Sequence, residues 1–490
     1  MKNLCIFNAR LVDAYKDTQG CLFVSGERIK SIVTGNFSSG EIKKIAQSIF
    51  SKEEETEFVD AKGLIIQPSF VDLHAHFRCP GQEQKEEIAT AVKAAAAGGF
   101  GTLVLMPNTT PPVSSMEEAA AVCEQAQQYS MAQVIQSVSI THHFDGKTLS
   151  HLDTLPDYTA SLISAESPQS SRDSLYTIPG IPLVTEDGRD VESAAVLFRA
   201  MELCGKKGIA VACHCEDMSL AAEARQFRSR ARAILYEGAK DNPNSFLKNL
   251  PEEKKREAFA LLEEANRILR MAEDVATKRN IDVAHEADCH LHVCHISTEG
   301  SLEALRQAKE KGYKVTCEAT PHHIGFGLTA SDENLVHIVN PPLRLEKDQA
   351  ALFEALKDGT VDCISTDHAP HTAQDKINGA PGFSGLETAY ALCNTVLIKQ
   401  GILSYKEYAK LASANPAGIL KLNKGPYARG LLEPGFLADF ILCDPDFSWT
   451  VRGENFYSKG KYTPLEGKTL TGKVMATYFR GRCVYKFDEK

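Results

Sequence analysis

The sequence lacks any apolar run close to the roughly 20 residues needed to cross a bilayer, which argues against a membrane protein. It also lacks a basic excess, because 54 lysines and arginines face 64 aspartates and glutamates, for a net charge of -10. A nucleic-acid partner would favour a basic surface, so this balance argues against one. No internal repeat or low-complexity tract stands out. The N-terminus, MKNLCIFNARLVDAY, meets polar residues too early for a secretory signal.

Cysteine is present, but not in the pattern of a disulfide framework. Fourteen cysteines in 490 residues are too dilute for such a scaffold. Most lie in apolar strand-like runs, as Cys213, Cys294 and Cys317 do, where a free buried thiol is the ordinary expectation. Cys213-His214-Cys215 has the residue types of a structural zinc site but lacks the second pair that such sites need. The sequence therefore predicts a protein of the reducing cytoplasm.

Apolar strand-like runs alternate with helical segments over residues 67–421. Helix formers that end near glycine lie between the runs, as in EEIATAVKAAAAGG and SLEALRQAKEKG. This alternation favours a parallel α/β architecture, and eight runs predict a closed (β/α)₈ barrel of the TIM type. The eight runs are VDLHAH (71–76), TLVLMPN (102–108), QVIQSVSIT (133–141), IPLVTEDG (181–188), GIAVACHCE (208–216), CHLHVCHIS (289–297), YKVTCEATPHH (313–323) and VDCISTDHAPH (361–371).

The two ends of the chain carry a different pattern. Residues 1–66 predict short strands and turns, in LCIFNARLV and GCLFVSGERIKSIV, and short strand signals return in residues 422–490. We predict that these two ends form one composite β-sandwich domain beside the barrel of residues 67–421. Within the barrel region, residues 142–180 are polar and serine-rich. Residues 218–285 predict helix on or near the barrel surface, with a loop or lid as the alternative.

Metal-ligand side chains gather at the ends of the predicted strands. Residues two apart on a strand share one face, so His74, His76 and Arg78 point the same way if the strand persists. A barrel collects the carboxyl ends of its strands at one mouth. Four histidines and two carboxylates there can hold two divalent ions with a bridging carboxylate and a bridging hydroxide. The predicted ligands are His74, His76, Asp187, His214, His295 and Asp367.

Each of these residues has a simpler structural explanation when it is taken alone. A lone histidine in a strand is more often hydrogen-bonded in the core than bound to a metal. Asp187 precedes a glycine and fits a turn, and Asp217 is placed to cap the helix that follows. In CHLHVCH, alternation puts His290 and His292 on the face opposite to His295, which predicts structural roles for the first two. The metal-site interpretation depends on the whole set occurring in register.

Three motifs together resemble one known family. HAHFRCPGQE (74–83), MPNT (106–109) and DHAPH (367–371) are similar to the dihydroorotases, more narrowly to the bacterial class I form within the amidohydrolase superfamily. The similarity runs from about residue 60 to the C-terminus and includes GLETAYAL and SKGKYTPLEGKTLTGKV. It implies a zinc-dependent hydrolase of cyclic amides that reversibly closes N-carbamoyl-L-aspartate to (S)-dihydroorotate and water in pyrimidine biosynthesis.

The resemblance also implies a centre of two zinc ions. Many relatives bridge the ions with a carboxylated lysine, but strand four ends here in Glu186-Asp187-Gly188. The chain therefore resembles the branch that bridges with an aspartate, with Asp187 at that position and Glu186 in place of the usual first aspartate. Asp367 is implied as the general acid/base as well as a ligand. One ion is expected on His74, His76 and Asp367, and the other on His214 and His295.

A second group of residues is implied to bind the substrate. Arg78, Asn108 and His371 match residues that hold its carboxylate, and Asn340 matches one that contacts the pyrimidine ring. Arginine suits this role because a guanidinium pairs with a carboxylate through two parallel hydrogen bonds.

Other functions and partners stay open at this point. Allantoinases and hydantoinases usually carry the bridging lysine and a different second motif, so Asp187 and MPNT argue against them. An inactive scaffold for aspartate carbamoyltransferase would have lost its ligands, which this chain retains. A homodimer is expected, and an association with that transferase stays open for an active enzyme too. Cys79 and Gln84 depart from the family pattern, where glutamate and an aromatic residue are usual, and both lie just outside the ligand set.

Overall fold

The computed structural model describes residues 3–50, 55–165, 178, 180–239 and 242–488. The strands are β1 Asn3–Val12, β2 Asp17–Ser25, β3 Arg28–Thr34, β4 Thr56–Asp60, β5 Ile65–Pro68, β6 Phe70–Ala75, β7 Phe100–Leu105, β8 Gln133–Gln136, β9 Leu183–Thr185, β10 Ala210–Cys213, β11 Leu291–Val293, β12 Val315–Ala319, β13 Gly327–Leu328, β14 Arg344–Leu345, β15 Cys363–Ile364, β16 Phe440–Thr450, β17 Thr469–Phe479 and β18 Arg482–Lys486. The α-helices are α1 Ser39–Ile49, α2 Ile88–Gly98, α3 Met116–Gln127, α4 Ser150–Thr154, α5 Tyr158–Ala165, α6 Ala194–Lys206, α7 Met218–Ala239, α8 Glu252–Glu286, α9 Glu299–Glu310, α10 Pro321–Gly325, α11 Glu346–Asp358, α12 Ala373–Ile377, α13 Ala389–Cys393, α14 Tyr405–Ala409 and α15 Asn415–Ile419.

Parallel strands close into the predicted barrel. A three-stranded sheet, β6-β7-β8, and a five-stranded sheet, β15-β12-β11-β10-β9, are joined by isolated parallel bridges at both edges. At one edge the Thr185 amide donates to the Val138 carbonyl at 3.0 Å. At the other edge the His76 amide donates to the His368 carbonyl at 2.8 Å. Each of the eight predicted runs supplies one strand, so the barrel prediction is confirmed.

The barrel strands are buried along their whole length. All six residues of β6 and all six of β7 are buried. Strands covered on both faces favour continuous apolar runs over alternation, which is why these runs are visible in the sequence. Strand β6 ends at Ala75, however, and Arg78 has a φ of 59°. The assumption that strand geometry persists to Arg78 is therefore wrong, and a turn rather than alternation sets the position of this side chain.

The two ends of the chain meet in one sheet, as predicted. Its order is β18-β17-β16-β5-β1-β2-β3, and β4 pairs with β1. The join is the antiparallel pairing of β5 with β16, where Ile66 lies opposite Leu442. A buried apolar cluster packs Leu4 and Ile6 of the first segment with Phe440 of the second. The proposed domain boundaries at 66/67 and 421/422 stay a prediction.

A helix interrupts the region for which the sequence predicted only strands and turns. Helix α1 begins after a capping box, in which Ser38 and Glu41 satisfy each other's backbone amides. Its Ile42 and Ala46 are buried against Phe23 of the sheet. The prediction for this stretch was wrong because the apolar positions of the helix are few and its other face is charged.

The long charged segment is helical, as predicted, and it is divided into two helices. Helices α7 and α8 pack on each other through Ala224, Ala265 and Leu269. The end of α8 joins the barrel core through Ala276 and Ile281. Part of the serine-rich stretch, 166–177 and 179, lies outside the described residues. Among the helices that the structure describes, none is both long and apolar enough to cross a membrane.

Candidate active site

The first three predicted ligands meet at the mouth of the barrel. The Nε2 atom of His76 lies 3.2 Å from Asp367 Oδ1, and that of His74 lies 3.6 Å from the same oxygen. All three side chains are buried. Two donors bound about 2.1 Å from one tetrahedral ion lie roughly 3.4 Å apart. The observed separations fit a single shared cation.

Asp187 lies between this group and the other two histidines. Its Oδ1 is 3.2 Å from His74 Nε2 and 3.5 Å from both His214 Nδ1 and His295 Nε2. Its Oδ2 is 3.4 Å from His76 Nε2. A carboxylate that faces both groups of ligands has the position of a bridging ligand. The structure thus brings all six predicted ligands together.

The polar atoms of this cluster fit a pair of divalent metal ions. His74 Nε2 and Asp187 Oδ1 are buried without a hydrogen-bond partner among the described residues. His214 Nδ1 lies only 2.8 Å from His295 Nε2. A buried polar atom without a partner costs about 1–3 kcal/mol, and a cation bound between such atoms removes that cost. Imidazole nitrogens and carboxylate oxygens are also the donors that zinc takes.

Both carboxylates of the cluster are held in the ionised form. Burial raises the pKa of Asp187, but His74, His214 and His295 outweigh it and hold that pKa well below its usual range. Burial opposes ionisation of Asp367 in the same way, and the facing imidazoles, His76 first, again lower its pKa. Two ionised carboxylates that face histidine nitrogens form a donor set that a divalent cation can share.

Four residues around the cluster have a strained, left-handed backbone conformation. Arg78, Cys215, His295 and Asp367 have φ angles of 59°, 56°, 32° and 46°. Such conformations cost roughly 1–3 kcal/mol each for residues with a Cβ and occur where the surrounding structure over-determines them. Three of the four are predicted site residues, so the fold aims these side chains at the mouth despite a local cost.

A cavity of about 160 Å³ opens beside the cluster. Arg78 is buried in its wall, with Nη2 3.2 Å from His371 Nε2 and Nε donating to the Pro370 carbonyl at 3.3 Å. Burial lowers the pKa of Arg78 to about 10, so it is charged at neutral pH. Burial and then Arg78 lower the pKa of His371 to about 2, so the imidazole is neutral. The wall therefore presents one cation beside one neutral imidazole.

The other two predicted substrate residues also line this cavity. Asn108 accepts a hydrogen bond from His76 Nδ1 at 3.0 Å and donates one to Asp187 Oδ2 at 3.1 Å. Asn108 thus orients two of the predicted ligands, His76 and Asp187. Its contact with a substrate carboxylate stays a prediction. Asn340 accepts a hydrogen bond from Arg228.

The sequence analysis missed Glu318, which lies behind the ligands. His74 Nδ1 donates to Glu318 Oε1 at 2.8 Å, and His292 Nε2 lies 3.2 Å from Oε2. The first bond fixes the tautomer of His74 and leaves its Nε2 lone pair facing the cluster. The predicted structural role of His292 is consistent with this contact. A charged residue at a buried position of the strand VTCEA was the signal that could have revealed it.

We expect Glu318→Gln to lower metal affinity about 10–100-fold, the usual effect of removing a partner behind a histidine ligand. Competition with a chromogenic chelator measures it. Glu273→Gln is the matched control, because Glu273 is an equally buried carboxylate that bonds Arg344 and Ser297 instead of a ligand. Equal metal affinity in the Glu318 variant and the wild type would contradict the assigned role.

The departures from the family pattern are accommodated outside the cluster. The buried Glu186 carboxylate accepts hydrogen bonds from the backbone amide, at 2.7 Å, and the hydroxyl of Thr141. Burial raises the pKa of Glu186 to about 7. The Cys79 thiol donates to the Glu86 carbonyl at 3.7 Å, and Gln84 is exposed. Glu186 thus connects the ends of two predicted strands through hydrogen bonds to Thr141.

The chain matches the Amidohydrolase family over residues 65–484. It is 32% identical to a dihydroorotase of Clostridium botulinum, covering 99% of both chains. It is 34% identical to a dihydroorotase of Bacillus subtilis, covering 91% of this chain and 93% of that one.

Solved structures of cyclic amidohydrolases share the fold. The L-hydantoinase of Arthrobacter aurescens superimposes with a TM-score of 0.78 at 22% identity, covering 100% of this chain and 97% of that one. A dihydropyrimidinase of Brevibacillus agri superimposes with a TM-score of 0.72 at 21% identity, covering 99% and 95%. At these identities the likeness shows the fold, a TIM-type barrel with a β-sandwich domain. The barrel, the cluster at its mouth and the near-complete alignment with named relatives agree: this chain belongs to the amidohydrolase family.

Proposed function

We propose that this chain is a dihydroorotase, which interconverts N-carbamoyl-L-aspartate and (S)-dihydroorotate in pyrimidine biosynthesis. The observation that carries the proposal is the buried Arg78 next to His371, on the wall of a cavity whose floor is the ligand cluster. A metal site alone would fit many hydrolases, whereas a buried guanidinium beside it indicates a substrate with a carboxylate. The dihydroorotase names of the relatives at 32% and 34% identity support the same substrate.

The reaction needs three chemical contributions. Dihydroorotate is a cyclic amide with one carboxylate, and its hydrolysis needs a nucleophile, a polarised carbonyl and a proton for the departing nitrogen. Two zinc ions held by His74, His76, Asp187, His214, His295 and Asp367 would supply a nucleophilic hydroxide at neutral pH and a Lewis acid for the carbonyl.

Asp367 is the residue that moves the proton. Its carboxylate is ionised and buried at the cluster, so it can accept the proton of the attacking hydroxide. As the ring C–N bond breaks, it returns that proton to the nitrogen. In the biosynthetic direction Asp367 takes the proton from the nitrogen that closes the ring. Arg78 meanwhile holds the substrate carboxylate, and Glu318 keeps His74 in the tautomer that faces the cluster.

The proposal includes finer points that the family suggests. The metal is zinc, with two ions per chain, and the donor set supports this assignment. The protein is a cytoplasmic homodimer, and aspartate carbamoyltransferase is the partner to test by co-purification.

We expect the zinc-loaded protein to turn over dihydroorotate and carbamoyl-aspartate, and to lose this activity with a chelator and regain it with Zn²⁺. Ultraviolet absorbance of the ring follows the reaction, and metal analysis accompanies it. Allantoin and hydantoin are the control substrates. Faster turnover of either one, or no turnover of dihydroorotate with two ions bound, would refute the proposal.

A further inference from the structure

A buried lysine outside the proposed catalytic set joins two segments near the cavity. Lys376 lies in α12 and is only 3% exposed. Its Nζ donates to the carbonyl oxygens of Ile338, Ala380 and Gly382, at 3.2, 2.6 and 2.6 Å. An ammonium group has three N–H donors, so these three acceptors satisfy it completely.

The buried environment of Lys376 disfavours its positive charge. Burial, together with the charges of Arg228 and Arg78, lowers the pKa of Lys376 to about 7 against the opposing effect of Asp375. The ring of Tyr462 lies 4.8 Å from Nζ and provides a weak offset. An apolar side chain of similar size would avoid the cost of burying a cation. The three bonds of Lys376 therefore point to a positional role.

The two segments that Lys376 joins form one wall of the cavity. Asn340, Pro381 and Gly382 line it there. The Pro381 carbonyl also accepts a hydrogen bond from His371 Nε2 at 2.8 Å. The placement of this wall consequently sets the placement of a predicted carboxylate-binding residue.

A second cation reaches the same wall from helix α7. Arg228 Nη1 donates to the side-chain oxygen of Asn340, and Nη2 donates to the Val339 carbonyl at 3.2 Å. Because a guanidinium can only donate, this contact holds the amide oxygen of Asn340 on the side of Arg228 and leaves the NH₂ group for a ligand. Arg228 thus fixes Asn340 as a donor.

We propose that Lys376 and Arg228 form a cationic clamp that positions the wall of Asn340, Pro381 and Gly382. The wall so oriented selects substrates that place a carbonyl or carboxylate oxygen opposite the Asn340 amide. Both cations are positioning residues, because each acts through the wall. The inference extends the proposed function. It rests on that function because the effect on the wall is measured through the turnover of dihydroorotate.

The first test compares Lys376→Met with Lys207→Met. Lys207 is the matched control, because its Nζ also donates to three carbonyl oxygens, of Leu152, Asp153 and Leu155, at 2.9, 2.7 and 2.6 Å. None of these three lines the described cavity. We expect Lys376→Met to raise KM for dihydroorotate about tenfold or more, because the wall that contacts the substrate would shift. The change in kcat should be smaller. Lys207→Met should leave KM unchanged.

A second readout does not depend on activity. The Gly382 amide donates to the Ile338 carbonyl at 3.0 Å, across the two segments of the wall. We expect its hydrogen exchange to become faster in Lys376→Met and to stay unchanged in Lys207→Met. Arg228→Gln serves as a second variant if Lys376→Met does not fold, and it should raise KM in the same way.

The outcomes separate the two proposals. Variants that fold, keep the wild-type KM and retain Gly382 protection would overturn the clamp. A wild-type protein without turnover of dihydroorotate would overturn the proposed function, while faster exchange at Gly382 in Lys376→Met would still support the clamp.

Discussion

Replacing Asp367 with alanine is expected to lower kcat by a factor of about 10³ or more. General acid–base catalysis contributes roughly 10²–10⁴-fold, and the substitution also removes a carboxylate that lies 3.2 Å from His76 Nε2. Metal content should fall as well, because only His74 and His76 then remain of the first group of ligands. Steady-state kinetics with metal analysis of the purified variant measures both effects.

Asp217→Ala is the matched control for this experiment. Asp217 is also an aspartate near the barrel mouth, but its carboxylate accepts hydrogen bonds from the amides of Ser219 and Leu220, at 3.1 Å each, at the start of α7. Its loss should cost about 0.5–2 kcal/mol of stability without changing kcat. If Asp367→Ala retained a tenth of wild-type kcat, the assignment of the proton to Asp367 would be wrong.

Replacing Arg78 with lysine is expected to raise KM for dihydroorotate about 10–100-fold, the range of one charged hydrogen bond. Lysine keeps the charge and has the same backbone penalty at a φ of 59°, but it cannot offer two parallel donors to a carboxylate. The change in kcat should be smaller, because the residue binds the part of the substrate that does not react.

An arginine on the surface supplies the comparison. Arg306 pairs with Asp358 at 2.9 Å on an exposed face of α9, so Arg306→Lys should leave both constants unchanged. A substrate without the carboxylate gives a further check, because Arg78→Lys should not weaken its turnover. An unchanged KM for dihydroorotate in Arg78→Lys would refute the carboxylate role.

The sequence predicted the barrel well because its strands are buried on both faces. Runs such as TLVLMPN need no partner information to be recognised, and the helices between them carry their own glycine stops. Helix α1 was missed because only Ile42 and Ala46 of its residues are buried. The cluster of six predicted ligands could be located because metal chemistry restricts the candidates to few residue types, and strand ends place them at one mouth.

By itself, the sequence determined the barrel, the six residues at its mouth and the family, because these depend on local burial patterns and on side-chain chemistry. The tertiary structure decided what lies behind and around those residues. Glu318 reaches His74 from a distant strand, and Lys376 and Arg228 reach one wall from two separate helices. Such contacts join residues far apart in the chain, so no local pattern encodes them. Even Arg78, recognisable in its motif, owes its orientation to a turn that only the folded chain stabilises.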